Sequence, residues 1–397
     1  MSEPIGRPFT YHRHQLAKTY ADGLLGVSLM DFRSGLFLTA PRRTGKSTFL
    51  REDLVPELDR RNILPVYVDL WADRSADPSR LIADAIRAAF RAVEGTGSKL
   101  IRATRIKKIS APGGFSVDLD TIGQPSGTTL TDALGELVKR SGRLVCLVVD
   151  EAQHAVTTDN GINAMHALKA ARDALTMGEA GRRLALVFTG SHRDKLGALV
   201  RNRTEPFFGA QILDFPLLGR PYTDEFTAWV NVRLAADNRF DPDDVWGAFE
   251  VLGRRPEQLA ALLTSLALSE EKASGLRGAL AGRAVVLRES AWQEFDVQFD
   301  ALTPIQQAVL RQVLTDGQKF SPFGAETLTV YAARVRQKVS KGGVQAALEV
   351  LRDKNLLWRS AHGTYAPEDQ ALVEWHESRF AQPVTASTDG PVGTTPG

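Results

Sequence analysis

The sequence predicts an α/β fold: a mostly parallel sheet with helices on both faces, then an all-helical block, then a helix-and-hairpin block. Three observations predict it. Short apolar, β-rich runs alternate with helical segments through the first half. The run 144–149 is apolar at every position, as a strand buried on both faces must be. After Pro216 the β-rich runs stop and helical periodicity takes over.

In chain order, a strand is expected over 35–39 and a helix over 46–60. A second strand over 63–69 precedes a helix over 78–93. Further strands follow at 144–149, 184–188 and 211–215. The stretch 95–127 breaks the rhythm. It is rich in Gly, Lys and Arg, carries Lys99, Arg102, Arg105, Lys107 and Lys108 with no acid before Asp118, and turns as a hairpin at 111–114. A helix-start signature at Thr223-Asp224-Glu225 opens the all-helical block, and Asp241-Pro242-Asp243-Asp244 opens its next helix. The third block starts at Thr303-Pro304. It continues with helical runs over 331–339 and 344–351, and ends in strands over 356–359 and 364–366 around His362-Gly363. The stretch 382–397, rich in Pro, Gly, Ser and Thr, is expected to be disordered. The expected division is therefore 1–218, 219–300 and 301–380, then a tail.

Composition bounds the function. The chain has 397 residues, of which 43% are hydrophobic and 24% charged, enough for buried cores. Its 49 basic and 47 acidic residues leave a net +2, so any nucleic-acid surface must come from local clustering. The single cysteine, Cys146, lies inside the apolar strand. It excludes an internal disulfide framework and fits a reducing compartment. No apolar leader or membrane-length stretch is present, so the expected location is cytoplasmic.

Chemistry is concentrated at two strand ends. Ala40-Pro41-Arg42-Arg43-Thr44-Gly45-Lys46-Ser47 follows a strand and opens a helix, the context of a phosphate-binding loop. The N–H groups of Arg43, Thr44, Gly45, Lys46, Ser47 and Thr48 can wrap phosphates at a helix N-terminus. Lys46 would reach the β- and γ-phosphates of ATP, and the Ser47 hydroxyl would hold Mg²⁺. Ala40 stands where the usual pattern has its first glycine, a position that needs a small side chain more than positive φ. Asp150 and Glu151 end the apolar strand, where open α/β sheets place ligands. Asp150 is assigned to the metal and Glu151 to the attacking water. Asp150-Glu151-Ala152-Gln153-His154 is not a DEAH-box helicase motif, because the histidine spacing is wrong.

In this order the motifs resemble AAA+ ATPases of the Orc/Cdc6-like and archaeal-type branch, over roughly 7–378. The resemblance implies a strand between those carrying the two motifs, with a polar sensor at its end. Thr189 and Ser191 both fit, with Ser191 slightly favoured. It places an arginine finger at Arg201 or Arg203, a second sensor at Arg254 or Arg255 in the helical lid, and adenine contacts near Arg7 and Phe9. It also implies that the third block is a winged helix-turn-helix. Seven Lys or Arg against two acids over 331–360 give that block a local +5, which fits duplex DNA. The expected function is an ATPase whose nucleotide state controls DNA engagement, with a homo-oligomer possible. The alternative is a nucleotide-dependent switch acting on a protein partner, including a defence or transposition accessory ATPase.

Overall fold

A computed structural model describes residues 9–73, 75–97, 108–110, 116–118, 121–123, 127–176, 183–191, 196–201, 203–268, 273–359 and 365–380. Arg7, the turn at 111–114, most of the basic run before it, His362-Gly363 and the tail lie outside these residues.

Five strands form one sheet: β1 (Leu36–Thr39), β2 (Ile63–Asp69), β5 (Leu144–Asp150), β6 (Leu184–Gly190) and β7 (Ile212–Asp214). Their order is β2-β5-β6-β1-β7, and every pairing is parallel. Strand β6 therefore separates the strands that carry the two motifs. A separate antiparallel pair, β3 (Lys108–Ser110) and β4 (Ser116–Asp118), accounts for the expected hairpin.

Strand parity builds two cores. Val145, Leu147 and Val149 pack with Ile82, Ile86 and Phe90 of α4 (Pro78–Gly97), and with α5 (Leu130–Ser141) and α6 (Asp159–Ala174). Cys146 and Val148 face the other way, against α1 (His14–Leu25) and the helix over 46–60. Alternate residues of one apolar strand thus serve two helix layers. The helix over 46–60 is not uniform. It runs as α2 (Lys46–Phe49), a π turn (Leu50–Leu54) and α3 (Val55–Arg60).

The helical lid comprises α7 (Arg220–Asn231), α8 (Pro242–Val251), α9 (Pro256–Ala267) and the first half of α10 (Ala273–Asp300). Helix α7 starts three residues before the expected signature. Pro221 occupies its first turn, and the Thr223 hydroxyl bonds back to the Arg220 carbonyl at 2.9 Å instead of capping. The second half of α10 joins another core with α11 (Pro304–Asp316), α12 (Ala325–Val335), α13 (Lys341–Asp353) and α14 (Gln370–Phe380). Thr303 and Gln306 close a capping box at the start of α11. Helix α12 lies six residues before the start expected from sequence, ending where Arg336 turns left-handed at φ 56°. The antiparallel pair β8 (Leu357–Arg359) and β9 (Tyr365–Pro367) follows α11, α12 and α13 and precedes α14. Trp358 and Ala366 of this pair pack into the sheet core rather than facing outward. Among the described residues no helix is long and apolar enough to cross a membrane.

Candidate functional site

Strand β1 is buried at every position and delivers the chain to Ala40, whose N–H bonds the Gly190 carbonyl at 3.2 Å. Ala40 is not among the residues at positive φ, so alanine meets the backbone requirement there. Gly45 sits at φ 88°, a conformation that strains any other residue, and Arg43 adopts φ 65°. The Thr44 hydroxyl donates to the Pro41 carbonyl at 2.7 Å and closes the loop. Helix α2 then begins at Lys46 with its N-terminal N–H groups facing the loop. Residues 41–48 line a pocket of about 390 Å³ together with Asp69, Trp71 and Glu151.

Parallel pairing brings the second motif to the loop across more than a hundred residues. Lys46, only 5% exposed, donates to Asp150 Oδ1 at 2.5 Å, Thr189 Oγ1 at 3.0 Å and Glu151 Oε1 at 3.2 Å. Asp150 is fully buried. It also accepts from the hydroxyls of Thr189 and Tyr67, the latter at 3.1 Å. Burial alone would raise its pKa; the Lys46 charge and these hydrogen bonds outweigh that and hold it below the ordinary value. Burial likewise opposes the charge on Lys46, but Asp150 and Glu151 prevail and raise its pKa. Both groups are therefore ionised at neutral pH. Asp69, in register with Asp150, is pushed up by burial first, partly offset by the Trp71 N–H, with Asp150 and Glu151 adding to the rise. Glu151 is held left-handed at φ 54°, a strained geometry for this residue type.

The Ser47 hydroxyl and the Asp150 carboxylate, both close to Lys46 at the loop, form a hard-oxygen pair that suits Mg²⁺. A second pocket of about 190 Å³ shares Thr44, Gly45 and Thr48 with the first and is walled by Phe9, Tyr11, Phe49 and Tyr222, dimensions and lining fit for a base. A cavity of about 560 Å³ adjoins it on the apolar face of the lid, sharing Phe9 and Tyr222.

Residues 32–195 match the family described as AAA domain. That match covers 164 of the chain's 397 residues, and over it the chain resembles the AAA+ P-loop proteins. Its fold is shared with a Walker-type ATPase of Pyrococcus abyssi, at 19% identity and a TM-score of 0.51 over 91% of this chain and 95% of that one. The ADP form of the Aeropyrum pernix ORC2 protein aligns over 92% of each chain at 13% identity, with a TM-score of 0.49. No curated protein sequence matches significantly.

The site gathers some of the expected residues and leaves others apart. Lys46, Ser47, Asp150 and Glu151 converge, whereas Ser191 does not touch them. Its hydroxyl accepts from Gln153 Nε2 at 3.1 Å, and Gln153 in turn donates to Glu151. Thr189 is the hydroxyl in direct contact with Lys46 and Asp150. Arg201 and Arg203 are exposed and do not line the phosphate pocket. Arg254 lies on the lid surface, 3.2 Å from Glu250 and over the Trp246 ring. Arg255 is 3.7 Å from Glu374 of α14. Arg43 lies 3.6 Å from Glu257 of the lid.

Sequence reasoning gave no role to Gln153, Tyr67, Asp69, Trp71 or Arg42, although Arg42 lies inside the phosphate loop. Asp69 had one usable signal: it ends β2 as Asp150 ends β5. Arg42 stacks on Trp71, 4.4 Å from the ring centre, and lies 3.5 Å from Glu368 beyond β9.

Proposed function

We propose that this protein binds ATP with Mg²⁺, hydrolyses it, and uses the nucleotide state to free its C-terminal winged helix for duplex DNA. One observation carries the coupling. Two carboxylates of one short segment, Glu368 and Glu374, pair with an arginine of the phosphate loop and an arginine of the lid. A bound triphosphate offers the same guanidinium groups a stronger, doubly hydrogen-bonding partner. Binding would then draw Arg42 and Arg255 away from the C-terminal segment and loosen its seat on the core. Arg255 would come to act as the second sensor of the Orc/Cdc6-like branch; Arg254, tied to Glu250, is the weaker candidate.

At the phosphates, the loop N–H groups and Lys46 would bind the anion, and Ser47 and Asp150 would hold the metal. Magnesium bound there would neutralise charge on the phosphates. Glu151 would orient and deprotonate the attacking water, with Gln153 fixing its carboxylate. Thr189 or, through Gln153, Ser191 would sense the γ-phosphate. Arg201 and Arg203, exposed and away from their own pocket, suit a finger acting on a neighbouring copy in a homo-oligomer. The lone buried Cys146 fits a cytoplasmic setting.

The basic cluster resolves into two groups. Arg336, Lys338 and Lys341 are exposed at the turn between α12 and α13 and at the start of α13. Arg352 and Lys354 lie about 16 Å further along the helix, at 1.5 Å per residue. Lys354 lines a pocket of about 400 Å³ with Arg42 and Glu368, inside the chain's own docking surface. The first group is therefore the DNA-facing one, at the helix end that such modules insert into a groove.

The test is duplex binding by fluorescence anisotropy with and without ATP, alongside turnover. Replacing Arg336, Lys338 and Lys341 by Ala should cut affinity and reduce the salt slope by about 3. Lys46→Ala should abolish nucleotide binding. Glu151→Gln should retain binding and lower turnover by about 10²–10⁴-fold. Unchanged turnover in both variants would sink the catalytic reading. If duplex neither binds nor alters turnover, the protein-partner switch takes its place; the burial of Trp358 and Ala366 against the core, a packing use of the hairpin, favours that second reading.

A further inference from the structure

A cluster of ligating side chains lies beside the base pocket, which Asp53 helps to wall. His12 and His14 bracket the start of α1, and Asp53 projects from the π turn of the helix that leaves the phosphate loop. His12 Nδ1 lies 2.9 Å and His14 Nδ1 3.6 Å from the same Asp53 oxygen. All three ligand atoms fall within 4.8 Å of one another. The two imidazoles are parallel, 10° apart with centres 4.9 Å apart, so both present the same nitrogen to one point. The other Asp53 oxygen accepts the Arg13 N–H at 3.1 Å, which fixes the carboxylate's orientation.

We propose that His12, His14 and Asp53 form a site for a borderline divalent cation of the Zn²⁺, Co²⁺ or Ni²⁺ type. Tetrahedral bonds of about 2.0–2.1 Å place ligand atoms about 3.3 Å apart, between the two separations observed. Two imidazoles and one carboxylate select such ions over Mg²⁺ and Ca²⁺, which prefer oxygen alone. His14 is 72% exposed, so water completes the coordination. Asp53 is buried, and an ion here gives its carboxylate a positive partner in place of one hydrogen bond from His12. The helix supports the geometry: a π turn adds one residue to the helical phase and re-aims the side chain that follows, and such turns recur at functional sites. Arg13 and Asp53 also wall the base pocket, so the ion would clasp the segment before α1 to the phosphate-loop helix beside the nucleotide.

The experiment uses the full chain, untagged, chelator-treated and nucleotide-free, titrated with Co²⁺ and followed by visible absorption. One equivalent should give the intense bands of a low-coordinate imidazole site, undiminished by excess Mg²⁺. His14→Ala, an exposed substitution, should weaken binding by at least about tenfold, as should His12→Gln, with the thermal melt of each metal-free variant unchanged. His166→Ala, on an exposed face of α6, should leave binding as in the wild type. Absence of saturable Co²⁺ binding, or equal affinity in the two histidine variants and the wild type, would overturn the proposal and leave the cluster as hydrogen bonds alone.

Discussion

Replacing Glu368 and Glu374 by Gln should release the C-terminal module without ATP. Each substitution keeps the side chain's shape and removes the charge facing Arg42 or Arg255. At 3.5 Å and 3.7 Å the Coulomb attraction is about 4–5 kcal/mol under an effective dielectric near 20. Desolvation cancels most of this: Arg42 and Glu368 are 33% and 24% exposed, Arg255 and Glu374 12% and 39%. Fully exposed pairs contribute about 0.2–1 kcal/mol, so a net of about 1 kcal/mol per pair is a fair figure here. Losing one pair should therefore raise the undocked population about 5-fold, and losing both about 30-fold. The two losses should add, because the pairs share no residue. Single-molecule energy transfer can read this. Cys146 is buried and will not take label, so cysteines placed at the exposed Ala88 of α4 and Ala346 of α13 report the separation of core and module. The wild type should resemble the double variant once ATP is added. An open fraction in the double variant within twofold of the nucleotide-free wild type would refute the electrostatic account and leave the buried hairpin contacts as the tether.

Two further outcomes follow from the geometry. Thr189→Val removes a hydroxyl touching both Lys46 and Asp150 and should lower turnover more than Ser191→Ala, measured as steady-state phosphate release. Equal losses would restore Ser191 as the sensor. His376, buried in the C-terminal core near Arg311 and Arg334, is pushed from the ordinary 6.5 down to about 4 by burial first and by those arginines second. The unfolded chain therefore takes up this proton before the folded one does. Stability contributed by the neutral ring is present above pH 6.5 and is lost as pH falls from 6.5 to 4, with a slope approaching one proton. Denaturant titrations across that range should show the slope, and His376→Leu should remove it.

Legibility in the sequence followed how locally each feature is specified. The strand 144–150 could be read because every position is apolar, and the two cores show why: both parities are buried. Helix α1 gave no signal. It has no acid in its first turn, and Arg13 at its cap makes no side-chain capping bond. The end of α12 was hidden because Arg336, rather than a glycine, takes the left-handed position. At the site, Lys46, Ser47, Asp150 and Glu151 were legible since each belongs to a motif whose spacing fixes it. The sequence slightly favoured Ser191, whereas Thr189 makes the direct contacts with Lys46 and Asp150; the difference depends on β6 running through Gly190 before the chain turns. Tyr67, Gln153 and the Arg42–Trp71–Glu368 stack depend on which strand or module lies next to which, and no local pattern encodes that.

The contacts of Lys46 also have a meaning for how the chain is made. Its partners lie 104, 105 and 143 residues downstream. At about 5–20 residues per second, a ribosome emits Thr189 roughly 7–30 s after Lys46. Until β5 is complete the nascent phosphate loop lacks Asp150 and Glu151, and until β6 is complete it lacks Thr189, so an ammonium group destined for burial must stay in water. The sheet order sharpens this, since β1 pairs only with β6 and β7, both made later. The strand that leads into the phosphate loop is thus among the last of its sheet to find its neighbours, and nucleotide capture must await the emergence of the chain through β6.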